Sequence, residues 1–131
     1  MNYLAILLAA ILNMVIGAAW YSPMLFGKQW SKELGMKMED MKKVDPKKAY
    51  GLTFVGALVL AVVMSYIVSW TKITTATDAI ALGFLAWVGF YVSSIASDYV
   101  FSKRSTTLFS INAGYYLVVF LLNALVVALW R

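Results

Sequence analysis

Residues 44–72 read VDPKKAYGLTFVGALVLAVVMSYIVSWTK, and they decide the fold class. Asp45 is suited to cap the free amides of a helix and Pro46 to occupy its first position, where the missing N–H and fixed φ do no harm. From Tyr50 to Trp70 no side chain is charged, a stretch of roughly 30 Å at about 1.5 Å per residue, which matches the hydrocarbon core of a bilayer. Lys47 and Lys48 bound it on one side and Lys72 on the other. A chain of 131 residues would make at most one small domain if soluble, but it divides well into four spans of about 20 residues.

The rest of the chain conforms. It is 63% hydrophobic and 13% charged, so most of its length cannot face water. Tyr3 to Trp20 is free of charge and covers roughly 27 Å. A cleavable signal peptide is the competing reading for it, since Gly17, Ala18 and Ala19 are small, but no Lys or Arg precedes the apolar run. After the polar turn at ITTATD, with Thr77 or Asp78 as a cap, a third run extends to Phe101; after SKRSTT a fourth closes the chain. The expected architecture is an all-α integral membrane protein, a single four-transmembrane-helix bundle over 1–131 with spans at about 3–21, 48–70, 79–101 and 108–130.

The chain lacks cysteine and histidine. That removes disulfides, thiolate chemistry and the commonest metal ligand and neutral-pH base, so neither a cofactor nor enzymatic activity is expected. The net charge of +5 is a matter of topology here, not of nucleic-acid binding. The connection after the first span carries Lys28, Lys32, Lys37, Lys42, Lys43, Lys47 and Lys48, and the one after the third carries Lys103 and Arg104; the opposite side has Lys72 and Arg131. Nine against two places 22–47 and 102–107 in the cytoplasm and both termini outside a bacterial inner or plasma membrane, and argues against dual insertion.

Within 22–47, Phe26, Trp30, Leu34, Met38 and Met41 recur at helical spacing, with lysines elsewhere around the helix. The pattern predicts an amphipathic interfacial helix, capped by Ser22 and started by Pro23, lying along anionic lipid headgroups with Trp30 at interfacial depth. Met36, Met38 and Met41 read as packing residues ahead of soft copper(I) ligands. In the spans, Asn13, Asn112 and Asn123 should face other helices or a cavity, because an amide facing lipid is costly. Small residues mark close approach: Ala10, Gly17 and Ala18; Gly56, Ala57 and Ala61; Ala79 with Gly83; Ser93 with Ser97; Ala124 with Ala128. Asp98 is the one carboxylate within a span and hence a candidate proton or cation site, although it lies near the interface with Lys103 and Arg104 as partners for a structural pair. Tyr99, Tyr115 and Tyr116 offer hydroxyls nearby.

Two stretches, GAAWYSPMLFGKQWSKELG and LFSINAGYYLVVFLLNALVVALW, resemble the family catalogued as domain of unknown function 1761. The resemblance runs through Trp20, Tyr21, Ser22, Pro23, Phe26, Gly27 and Trp30, then Asn112, Gly114 and Tyr115, and covers essentially the whole chain. It implies a four-span membrane protein and assigns no activity. Function therefore has to be read from the residues. A small transporter or channel subunit is the first reading, working as a homo-oligomer because four short helices enclose little space. A structural or accessory protein packed against a partner or lipid is the alternative. Charge asymmetry makes a direct prediction: cysteines introduced at Ser31 and Ser105 label from the cytoplasm and ones at Thr75 and the C-terminus from outside, whereas labelling of Ser31 from both sides means dual insertion.

Overall fold

The computed structural model describes residues 2–35 and 45–130. It is an all-α membrane bundle built on four helices long and apolar enough to cross a bilayer: α1 (Tyr3–Trp20), α3 (Pro46–Thr71), α4 (Ala76–Phe101) and α5 (Thr106–Leu129), with a short α2 (Gly27–Leu34) after the first span. Capping chemistry sets the boundaries. Asp45 accepts from the Lys47 amide with Pro46 in the first turn, as expected, so α3 starts two residues before the predicted span. Thr75, not Thr77 or Asp78, caps α4 by accepting from the Asp78 amide, and Ser105 caps α5. Asn2 caps α1 and also donates to the Trp130 carbonyl at 3.2 Å, which ties the two ends of the chain to one face of the bundle.

α5 is the centre. It packs against α1, α3 and α4, and α1 packs on α3. Half of the bundle, toward the termini, is held by small residues. Ala9, Ala61 and Ile6 form one buried cluster between α1 and α3, and Ala79, Ala86, Ala124 and Ala128 meet Met64, Val68 and Val127 in another. Without a hydrophobic driving force between helices in lipid, such contacts depend on backbones coming close enough for dispersion and packing to act. The Ala79/Gly83 and Ala124/Ala128 pairs lie in this seam, whereas Ser93 and Ser97 are exposed and form no seam.

The other half is different. α4 packs closely on α5 through Ala76–Ala86 and more sparsely beyond it. The change coincides with a π-helical segment, Trp87–Val92, that the sequence did not suggest. The hydroxyls of Ser93 and Ser94 donate back to the carbonyls of Gly89 and Phe90, which satisfies the two hydroxyls within the helix in a medium without water. In place of alanine this half carries Trp20, Tyr21, Tyr91, Tyr115 and Tyr116, whose rings hold the helices apart.

After α1 the chain does not enter a helix at Pro23. The Ser22 hydroxyl donates to the Ala19 carbonyl at 2.7 Å, the Phe26 amide to Trp20 O and the Gly27 amide to Ser22 O, so residues 21–26 form successive turns and α2 begins at Gly27. Ser22 is thus spent on ending α1 and is unavailable to cap α2. Met38 and Met41 of the predicted stripe lie outside the described residues.

Glycine positions make the packing testable. A Cβ on Gly83 would stand 2.9 Å from the Phe120 carbonyl oxygen and 3.0 Å from the Leu121 Cα, whereas one on Gly56 would meet nothing within 4 Å. Gly83→Ala should therefore destabilise by about 1–3 kcal/mol, because backbone must give way. Gly56→Ala should stabilise by up to about 1 kcal/mol through helix propensity. Unfolding of the two variants in mixed micelles checks the contrast.

Candidate functional site

Two segments from opposite ends of the chain meet at the C-terminal end of α1. The Trp20 indole Nε1 donates to the Ile111 carbonyl at 2.9 Å, and its ring lies on Gly114, where an added Cβ would come within 3.1 Å. The next residue, Tyr21, donates its hydroxyl to Asn112 Oδ1 at 2.6 Å. Asn112 in turn donates from Nδ2 to the Tyr99 hydroxyl at 2.7 Å, so a single amide joins α1, α4 and α5. Phe26 packs tilted against Trp20 with ring centres 4.9 Å apart, and Trp30 against Tyr21 at 5.1 Å. These contacts fold α2 back under the bundle. Gly27 has no room for a side chain: a Cβ there would fall 2.3 Å from the Tyr21 carbonyl oxygen. The Trp-Tyr-Ser-Pro, Phe-Gly-x-x-Trp and Asn-x-Gly-Tyr stretches are thus parts of one contact.

Deeper in the bundle a second polar group forms. Asn123, fully buried, donates from Nδ2 to Asn13 Oδ1 and to the Val119 carbonyl, both at 2.8 Å. Tyr115 donates its hydroxyl to the Asn13 carbonyl at 3.2 Å and stands against Gly17, the position at which a Cβ would crowd that hydroxyl at 3.1 Å. Asn123 Oδ1 is the one buried side-chain polar atom without a partner among the described residues. All three asparagines therefore bond to side chains on other helices or line space inside the protein.

Between the two polar groups the helices leave a groove. It comprises two adjoining recesses of about 490 and 650 Å³ that share Asn13, Thr53, Tyr91, Tyr115 and Tyr116. The larger reaches Tyr21, Trp30, Leu34 and Asn112 at the α2 end. The smaller continues toward mid-bilayer along Leu60, Ala57, Val119 and Phe120. The tyrosine rings form a chain along it: Tyr21 to Tyr115 at 5.4 Å, Tyr115 to Tyr116 at 4.9 Å, and Tyr116 to Tyr91 at 4.5 Å. Among the described residues, no Asp, Glu, Lys or Arg lines the groove.

Asp98 takes no part in this. Its carboxylate is 60% exposed, 3.9 Å from the Arg104 guanidinium, which is itself 51% exposed. A solvated pair of this kind contributes about 0–1 kcal/mol. Arg104 also lies over the Tyr99 ring at 5.3 Å. Trp20, Tyr21, Phe26, Gly27 and Trp30 converge on the groove end, while Ser22 and Pro23 shape the turn beside it.

Trp87, Tyr91 and Thr53 belong to this region without standing out in the sequence. Trp87 donates its indole N–H to the Ala113 carbonyl at 2.9 Å. A tryptophan at the middle of a span, away from either interface, carries a donor that must be satisfied inside the protein, and that is the available signal. Tyr91, in the next turn of the same span, is likewise a polar aromatic away from either interface, although its hydroxyl finds no partner among the described residues.

The chain matches, over residues 4–128, the family described as a protein of unknown function, DUF1761. It belongs to the DUF1761 family. Nothing among curated proteins or solved structures matches it. For this DUF1761 protein the chemistry must accordingly come from the groove itself.

The buried amide pair yields a direct check. Asn13→Leu and Asn123→Leu, taken singly, should each destabilise by about 1–2 kcal/mol, since each leaves a polar partner unpaired in a dry interior. The double variant should recover part of that loss, with a coupling of about 0.6–1.7 kcal/mol. Additive losses in a double-mutant cycle would show that the two amides do not act as a pair.

Proposed function

We propose that this DUF1761 protein is a small transporter subunit whose working site is the tyrosine–asparagine groove. The observation that carries the reading is the asymmetry of the bundle: alanine seams close one half, while the other half holds a partly polar groove that begins beside α2 and stops at the Asn13–Asn123 pair. A groove confined to one half of the bundle, ending at a tight seam in the other, has the form of one state of an alternating-access cycle. Its role is binding and passage, not bond-making chemistry.

The α2 face is assigned to the cytoplasm. Lys28, Lys32, Lys47, Lys48, Lys103 and Arg104 all lie on it and are exposed, against Lys72 on the terminus face, and short-loop cations stay inside. Both termini are then outside, in an inner or plasma membrane, and the basic connection lies against anionic headgroups. Opening toward the terminus face would require separating α1 and α3 from α5 along seams with few interlocking side chains. A second copy is the natural partner for such a movement, since it would shield the seams from lipid.

A structural or accessory role is favoured by one feature: the small-residue seam is tight, and the groove does not cross it. The two readings differ in flux. In vesicles reconstituted with the full chain, fluorescent amphiphiles with anionic, cationic and uncharged heads should show protein-dependent translocation for at least one class, reduced tenfold or more by Gly56→Trp, which fills the groove from its open side. Rates equal to those of protein-free vesicles for all three classes would overturn transport and leave the accessory role.

A further inference from the structure

The groove is graded in polarity along the bundle. At the α2 end it presents hydroxyl, amide and indole groups from Tyr21, Asn112 and Trp30, and toward mid-bilayer it becomes apolar, along Leu60, Val119 and Phe120. The order is that of a lipid in the same leaflet, polar toward the headgroups and apolar toward the bilayer centre. The junction is marked by two hydroxyls. Tyr91 and Tyr116 line both recesses, and among the described residues neither hydroxyl has a hydrogen-bond partner.

The groove also opens sideways. Leu52, Thr53 and Gly56 of α3 border it and are exposed, and a Cβ on Gly56 would meet nothing within 4 Å. α3 packs on α1 and α5, and α4 chiefly on α5, so the gap between α3 and the π-helical half of α4 faces the acyl chains. A molecule could pass from the bilayer into the groove without crossing water. Among the described residues its head would meet donors and acceptors but no formal charge, and placing a charged head among them would desolvate it without a counter-charge.

We propose that the groove binds an uncharged single-chain amphiphile, a lipid whose head carries hydroxyl or ester oxygens and no phosphate, admitted laterally between α3 and α4. The head bonds the Tyr91 and Tyr116 hydroxyls, and the chain lies along Leu60 and Phe120. Either recess is within the roughly 300–1,000 Å³ of small-molecule sites. The proposal names the substrate class of the groove described above and rests on the groove being the working site.

The test reads binding without flux, so that its failure and the failure of transport are separable. The full chain is placed in phosphatidylcholine nanodiscs with a monoacylglycerol bearing a diazirine in its chain, or with a matching diazirine phosphatidylglycerol at the same mole fraction. After illumination the labelled residues are mapped by mass spectrometry. The monoacylglycerol should label residues 52–60 and 116–120 saturably, at least fivefold above the anionic probe, and unlabelled monoacylglycerol should compete. Gly56→Trp should reduce that labelling at least fivefold at unchanged thermal stability, and Tyr116→Phe should weaken the competition about fivefold. Competition in the wild-type chain needs no variant and decides the matter even if Gly56→Trp fails to fold. Equal labelling by both probes, or labelling that does not saturate, would overturn the proposal. Saturable binding without vesicle flux would retain the site and remove the transport cycle.

Discussion

Two indole N–H groups donate to α5 from its two sides, Trp20 to the Ile111 carbonyl and Trp87 to that of Ala113, and the arrangement of the bundle depends on them. In lipid a donor has no water to turn to, so an indole within a span either finds an acceptor in the protein or costs several kcal/mol. The two bonds set the register of α1 and α4 on the central helix. With that register fixed, Tyr21 reaches Asn112, Asn112 reaches Tyr99, and Tyr115 reaches the Asn13 carbonyl. Alanine seams at the terminus end then close around a relationship that polar groups have specified. Packing of small residues supplies cohesion there, but alanine against alanine has little power to choose one register over another.

Much of this is legible in the chain. Uncharged runs of about 20 residues, with Asp45 and Pro46 at the start of one, determine four spans because a bilayer tolerates few alternatives. The asparagines are expected to face other helices or a cavity, and hydrocarbon is the reason. Partners are not legible, since an amide at Asn13 or Asn112 shows no preference among three neighbouring helices until register is known. The turn after α1 departs from expectation for a local reason: Ser-Pro suits a helix start, but the Ser22 hydroxyl is drawn back to Ala19, and only Gly27, with the Tyr21 carbonyl against it, admits the change of direction. A π-helical segment leaves no trace in hydrophobic periodicity over so few residues. The groove is hidden in the sequence because Thr53 reads as an ordinary span residue, and the hydroxyls of Tyr91 and Tyr116 give no sign of which helices they face.

The same constraint links fold to function. Tyrosines that would be awkward in a tight seam are gathered in the half where α4 departs from α5, and their rings support one another along the groove while some hydroxyls stay unspent. An uncharged polar lining in a membrane has a restricted use: it recognises shape and hydrogen-bonding capacity but offers nothing to stabilise an ion away from water. Asp98 and Arg104, an exposed pair at the edge, stand apart from that lining, which is uncharged among the described residues.

Everything inferred about the groove requires a bundle closed toward the termini and open between α3 and α4 toward α2. Pulsed electron resonance on spin-label pairs in nanodiscs tests this, with one pair at Ser69 and Ala76 near the terminus face and the other at Thr53 and Ser94 at matching depth near the α2 face. A short, narrow distance distribution is expected for the first pair and a distinctly longer one for the second. Equal distances at both ends would show α3 and α4 packed along their whole length, and would contradict the groove together with the functions assigned to it.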